Sequence, residues 1–361
     1  MRALGIVLLL LMGPLTAAPL TQGSPRVNAM TWLDLTRIGD RIVAVGERGN
    51  VLYSDDEGET WRMGETPGKA MLTAVCFANR SHGWAVGHDA VVWATDDGGE
   101  TWQQQYSDPL NGAEEDEEGT DAAGDASDGG GQMSMQDLYS DGSGSGGGGM
   151  DMGGGMAPDT SGAPFLDVWC DTEEHVMAVG GYGYVLETKD GGAQWSKRMQ
   201  ELDNPDGWHL YSIRAIPRGD GTLLIAGEQG TLFRSRDHGQ SWERLEAPYE
   251  GSYFGITAAQ RDTVLIHGMQ GNVWLSRDLG ENWKRIKTGV SRGINDGARL
   301  GDGSIVLVGN SGIVLTSHDN GASLSLRYTE ERETLSTVLP LRDQGVVVAG
   351  TDGLQKIREL H

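Results

Sequence analysis

From Gly46 to Trp61 the chain runs through a tight turn, an apolar strand and a polar loop that closes on a tryptophan, and this succession returns along its whole length. Gly87–Trp102 ends on TDDGGETW, Gly180–Trp195 on TKDGGAQW, Gly227–Trp242 on SRDHGQSW and Gly268–Trp283 on SRDLGENW. A sixth copy, Gly309–Leu324, ends on the degenerate SHDNGASL, and a seventh opens at Gly350 without such a loop. Gly46 and Gly87 are 41 residues apart, and so are Gly227, Gly268, Gly309 and Gly350 in turn. A period near 40–45 residues with several short strands per copy marks a propeller blade. Seven opening glycines therefore predict an all-β, seven-bladed propeller over residues 19–361.

Each unit reads as four short strands. In the second copy they are Leu72–Phe77, Trp84–Gly87, Val91–Thr95 and Thr101–Gln105, runs of branched and aromatic residues bounded by Gly, Asp and Asn. The second and third strands join through Gly-x-x-Gly in most copies (GERG, GEQG, GMQG, GNSG, GTDG), where glycine is expected to supply the positive φ of a tight hairpin. The loop between the third and fourth strands has the form Ser/Thr-x-Asp-x-Gly-x-Ser/Thr-Trp, with small departures between copies. Its aspartates are Asp56, Asp97, Asp190, Asp237, Asp278 and Asp319, and its tryptophans Trp61, Trp102, Trp195, Trp242 and Trp283. An Asp carboxylate accepts bonds from the backbone N–H groups just ahead of it. The Trp ring then packs on the blade. This motif is the Asp-box, or BNR repeat. A position repeated in every blade is architectural, so these residues are read as hairpin closures and not as calcium ligands or catalysts.

Residues 1–18 read as a secretory signal: Arg2, the apolar run Leu4–Met12, then Thr16-Ala17-Ala18. Residues 109–163 break the rhythm between blades two and three. They carry the acidic run Glu114–Glu118, Met133, Met135, Met150, Met152 and Met156, a Gly/Ser tract, and no Lys or Arg. Such an insertion cannot bury enough apolar surface to fold alone and is expected to be disordered. Its thioethers and carboxylates suggest a metal-binding reading, and its methionines an adaptable contact loop. The last unit has only three strands, which predicts that residues near Thr21–Val27 complete it as a fourth. Cys76 and Cys170 lie in the first strands of neighbouring blades with opposite parity, so both could point into the shared seam; a disulfide and two separate buried thiols remain the alternatives.

The net charge of −24 argues against nucleic acid, whose phosphates need a basic surface. The connections between blades share one face with the Gly-x-x-Gly turns, and loops on a rigid scaffold carry function. Arg48, His88, Tyr182, Trp208, His209, Tyr249, Tyr253 and Arg292 are therefore the candidate partner-binding rim. Asp-boxes also occur in sialidases and other glycoside hydrolases. A sialidase needs an arginine cluster with a Phe/Tyr-Arg-Ile-Pro motif ahead of the first box, and none precedes Asp56. No nucleophile triad, HExxH or CxxC is present. No catalytic, cofactor or metal residue is assigned.

Units such as HGWAVGHDAVVWATDDGGETWQQQ (His82–Gln105) make residues 27–358 resemble the photosystem II stability and assembly factor family. The resemblance implies an exported, non-enzymatic seven-bladed propeller that binds membrane-protein partners during assembly. The expectation is a monomeric scaffold in the periplasm or secreted, without cofactor, serving a membrane or envelope complex such as a transporter. The alternatives are an Asp-box glycoside hydrolase and an envelope protein that binds metal through the insertion.

Overall fold

The computed structural model describes residues 20–21, 27, 29–109, 160–217, 220–342 and 345–360. The signal reading of residues 1–18 and most of the insertion lie outside them.

Seven antiparallel sheets stand around one axis. Blade 1 is built from Trp32–Ile38, Arg41–Gly46, Val51–Ser54 and Thr60–Met63, and blade 2 from Leu72–Phe77, Gly83–Gly87, Val92–Thr95 and Gln103–Tyr106. Blades 3 to 6 repeat this order from the inner strands Phe165–Cys170, Leu210–Ala215, Tyr253–Ala258 and Ile294–Arg299. Blade 7 has three strands, Leu335–Pro340, Val346–Gly350 and Gly353–Ile357. The first strand of each blade is innermost. The second is buried along nearly its whole length, as a strand with a sheet on either side must be.

Seven buried apolar clusters form the core, each drawn from two neighbouring blades. One of them closes the ring. Trp32, Leu35, Ile42, Leu52 and Trp61 of blade 1 pack there on Val347, Ala349 and Leu354 of blade 7.

Among the described residues, the N-terminal segment does not supply the fourth strand expected for blade 7. Leu20–Thr21 pairs with the outer strand of blade 1, Leu20 opposite Trp61 and Thr21 opposite Thr60, and makes that sheet five-stranded. Two contacts explain the choice. Val27 is buried in the closing cluster, and its carbonyl accepts a bond from Trp32 Nε1 at 3.0 Å, which leads the chain into blade 1. The last strand of blade 7 instead reaches blade 1 through Lys356 and Arg358, both paired with Glu59. Among the described residues, side chains and not a shared strand close this ring.

The opening glycines serve a different purpose from the one their turns suggested. Gly46 is extended, with φ −172°. A Cβ on it would stand 2.2 Å from the carbonyl oxygen of Thr31, so the position is glycine because the backbone entering the inner strand passes too close for any side chain. The left-handed turn is made two residues later, at Arg48 (φ 56°) and Gly49 (φ 66°).

The six aspartate loops share one geometry. In blade 4 the Ser235 hydroxyl donates to Asp237 Oδ1 at 2.7 Å and accepts from Gly239 N–H at 2.8 Å. Asp237 also accepts from the backbone N–H of Ser241 at 2.9 Å and from its hydroxyl at 2.6 Å. Asp56, Asp97 and Asp319 repeat this pattern; at Asp278 the Asn282 amide donates in place of the hydroxyl, and Asp190 lacks the last bond because Gln194 replaces the hydroxyl residue. Trp61 and Trp102 are buried and donate through Nε1 to Gly58 and Gly99 carbonyls. Trp195, Trp242 and Trp283 are half-buried.

Cys76 and Cys170 are joined by a disulfide across the seam of blades 2 and 3, with Cα atoms 5.9 Å apart. On the opposite edge of that seam the two ends of the insertion meet, Gly162 N–H donating to the Asp108 carbonyl at 2.6 Å.

Candidate functional site

The inner strands line a central channel. In every blade the inner strand shifts register against its neighbour between its first and third residues, a β-bulge that brings an additional side chain to the axis. The third residues form a ring near the upper mouth, the face of the Gly-x-x-Gly turns: Asp34, Ala74, Asp167, Ser212, Gly255, Asp296 and Thr337.

The three aspartates tie each blade to the next. Asp34 Oδ2 accepts from Val75 N–H of blade 2 at 2.8 Å, and Asp167 Oδ2 from Ile213 N–H of blade 4 at 2.8 Å. Asp296 Oδ2 accepts from Val338 N–H of blade 7 at 3.0 Å and from the Thr337 hydroxyl at 2.8 Å. Blade 5 has glycine in the ring, and there the imidazole of His267 takes the aspartate's place. A Cβ on Gly255 would lie 2.4 Å from His267 Cε1. His267 Nε2 is 2.9 Å from Thr257 Oγ1, and Nδ1 is 3.3 Å from the Ile294 carbonyl of blade 6.

Among the described residues one cation sits with these groups. Arg214 Nη1 donates to Asp167 Oδ1 at 3.1 Å and to the Ile213 carbonyl at 3.3 Å. Asp167 foremost, then Asp296 and Asp34, holds the guanidinium charged. Burial pushes the carboxyl of Asp34 up to about 7 against the pull of Arg214, and raises that of Asp167 as well. Burial lowers His267 to about 4, so its ring is neutral at pH 7.

From the mouth an aromatic strip runs outward across blades 5, 4 and 3. Phe254 meets Tyr211 edge to face at 5.6 Å, Tyr211 stands 6.2 Å from His209, and His209 stands 5.0 Å from Tyr182. Tyr182 is 49% exposed at the tip of the blade 3 turn, with φ 55°. The connection under the strip is fixed by Asn204, which donates to the Trp208 carbonyl at 2.9 Å and accepts from Trp208 N–H at 3.0 Å. Burial pushes the His209 imidazole below its ordinary value.

The rim foreseen from sequence is thus divided. Tyr182, Trp208 and His209 share one stretch of surface. Arg48 and Arg292 are exposed but stand on blade 1 and on the connection into blade 6, and His88 is half-buried in blade 2. Tyr249 is half-buried against Tyr253 at 6.2 Å. Tyr253 itself cannot meet a partner: it is fully buried at the head of its strand, and its hydroxyl donates to the Tyr249 carbonyl at 2.8 Å. Sequence reasoning passed over Tyr211, Phe254 and the axial ring. The available signal was an aspartate third in an otherwise apolar strand, in WLDLTRI, FLDVWC and INDGAR.

The model of the photosystem II assembly factor YCF48 family matches residues 159–338. The chain is similar to this family over that stretch, just under half of its length. Among curated proteins it is 37% identical over 95 residues to the photosystem II assembly lipoprotein Ycf48 of Synechococcus sp. (strain CC9902), which is 26% of this chain and 28% of the relative. It is 34% identical over 70 residues to the uncharacterized protein YkuO of Bacillus subtilis (strain 168), 19% of this chain and 23% of the relative. These matches span about a quarter of each relative's length. Three solved structures share the fold. YCF48 bound to D1 peptide has a TM-score of 0.62 at 17% identity, covering 91% of this chain and 93% of that one. YCF48 from Cyanidioschyzon merolae has 0.60 at 15%, covering 91% and 95%. The WD40 propeller domain of Doa1 has 0.64 at 11%, covering 96% and 97%.

Proposed function

We propose that this protein is an exported, non-enzymatic scaffold that binds a protein partner through its upper face during assembly of a membrane or envelope complex. The observation that carries the reading is the strip from Phe254 to Tyr182. Aromatic rings that reach the surface on rigid strands and turns lose little conformational freedom on binding, which makes them good contact anchors. The YCF48 structure bound to D1 peptide supports a peptide segment of a protein as the partner. That the Synechococcus relative is a lipoprotein supports export to a membrane-facing compartment. A photosystem subunit and an envelope transporter are both clients of this kind, and the scaffold works as a monomer. The hairpin-closing aspartates belong to this reading as Asp-boxes, each spent on its own loop.

Capture of partners from envelope extracts tests it, with wild type, Tyr182→Gly and a chain in which Pro109 is joined to Thr160. Tyr182→Gly removes the ring and relieves a left-handed backbone that costs a side-chain-bearing residue about 1 kcal/mol. The variant is expected to be at least as stable as wild type and to lose the partner. A partner retained by Tyr182→Gly and by Phe254→Ala would remove the strip from the interface. Hydrolysis of sialoside or glucan substrates, abolished by changing Asp34 or Asp296, would replace the scaffold reading with a glycosidase. Cu(I) uptake lost with residues 110–159 would favour the metal reading.

A further inference from the structure

The upper mouth of the channel holds a charge arrangement that its inter-blade bonds do not account for. Three carboxylates, buried Asp167 and half-buried Asp34 and Asp296, face it from three blades, with one guanidinium among them in the described residues. His267, behind the ring, is neutral. The site is therefore short of positive charge, in a chain whose net charge is already −24. Arg214 is engaged by Asp167 and flanked by the other two carboxylates, so it is no anion site.

A second observation is independent of the acids. Asn295 and Ser336, 5% and 4% exposed, line the same cavity, and neither Asn295 Oδ1 nor Ser336 Oγ has a hydrogen-bond partner. Asn295 has already used its amide N–H groups on Asn310 Oδ1 and the Leu335 carbonyl, at 2.9 and 2.8 Å, so what it offers is an acceptor. Buried acceptors without donors are costly, and they are satisfied by water or by a ligand. The cavity has about 70 Å³ of free space, and Tyr211 and Phe254, edge to face, wall one side of it. Carboxylates, an unpaired amide oxygen and aromatic walls together select a cation that carries N–H donors. A bare metal ion fits less well, because among the described residues no three acidic, His or Cys groups converge as ligands.

We propose that the upper mouth of the channel is a binding site for a lysine or arginine side chain projected by a protein partner. This deepens the scaffold reading and rests on it: the aromatic strip receives the partner's surface, and the mouth takes one basic side chain as its anchor. The cation meets Asp296 and Asp34 and lies against the Tyr211–Phe254 corner, and Asn295 turns its Oδ1, closed to solvent in the free protein, toward it. Its arrival favours the ionised carboxylates, so binding near neutral pH releases a proton, chiefly from Asp34. The charged and titratable groups facing Asp34 in this setting are Arg214, Asp167 and Asp296.

The test uses the full chain and small probes, so it does not depend on finding the partner. N-acetyl-lysine methylamide and N-acetyl-arginine methylamide are titrated calorimetrically at constant ionic strength, in two buffers of different ionisation enthalpy at pH 7. The neutral N-acetyl-norleucine methylamide is the control. Saturable binding of the cationic amides is expected, at least tenfold tighter than the control, with proton release and a tenfold or greater loss in Asp296→Asn and in Asn295→Ala. Equal binding of norleucine amide, absence of saturation, or unchanged affinity in both variants overturns the proposal. If neither variant folds, the preference for cations and the proton release in wild type decide the matter. A partner captured by the strip without any affinity for the probes would leave the scaffold reading standing and remove this one.

Discussion

Asp34 sits where a negative charge is costly. Unfolded, its carboxyl titrates near the ordinary 3.8, and folded near 7. Between those values the folded chain keeps a proton that the unfolded chain has released, so stability falls as pH rises, by at most about 1.4 kcal/mol per pH unit. Asp34→Asn retains an acceptor for Val75 N–H and removes that slope. Its stability relative to wild type, measured by urea unfolding, should grow from about pH 4 to about pH 7 and level off above. Asp319 behaves in the opposite sense. The Ser323 hydroxyl and N–H hold its carboxylate at about 2, so its contribution is complete above 3.8 and is lost as pH falls toward 2. One residue type thus works in two ways. At the corners it is an exposed carboxylate satisfied by its own loop, and at the axis it is a buried or half-buried one shared between blades.

At the level of the element, the corner loop is the part most legible in sequence. Its spacing names each bond: the residue two before the Asp donates to it, and the residue four after it donates back. Asp237→Ala removes three such bonds and should cost about 1–2 kcal/mol, read from the urea midpoint with an unchanged slope. Asp190→Ala should cost less, because that loop lacks the second hydroxyl. The tryptophans differ for reasons the motif does not contain. Trp61→Ala opens a cavity in the ring-closing cluster and should cost about 3–5 kcal/mol, whereas Trp283→Ala removes a ring that is already half in solvent and should cost less. The same TW or NW dipeptide closes both loops. What it packs against belongs to the neighbouring blade.

For the molecule as a whole, the seam between blades 2 and 3 carries both the insertion and the disulfide. Cys76 and Cys170 are 94 residues apart in sequence, and the bond closes a loop that contains the whole insertion. Cys76→Ser with Cys170→Ser should lower stability by about 2–4 kcal/mol, through the added freedom of the unfolded chain. Joining Pro109 to Thr160 should leave the melting temperature within a few degrees of wild type, because Gly162 N–H already meets the Asp108 carbonyl. A loss of cooperative unfolding in that variant would give residues 110–159 a part in the core. The sequence by itself determined the repeat, the number of blades and the bonds of each corner, because all of these are made within a span of about 41 residues. Only the tertiary structure decided what depends on one blade meeting another. It gave Leu20–Thr21 to blade 1, buried Tyr253, seated His267 over Gly255, and gathered Asp34, Asp167, Asp296 and Arg214 at the axis. Ring closure brings together side chains that no local spacing relates, and the charge it concentrates there exists in no single blade.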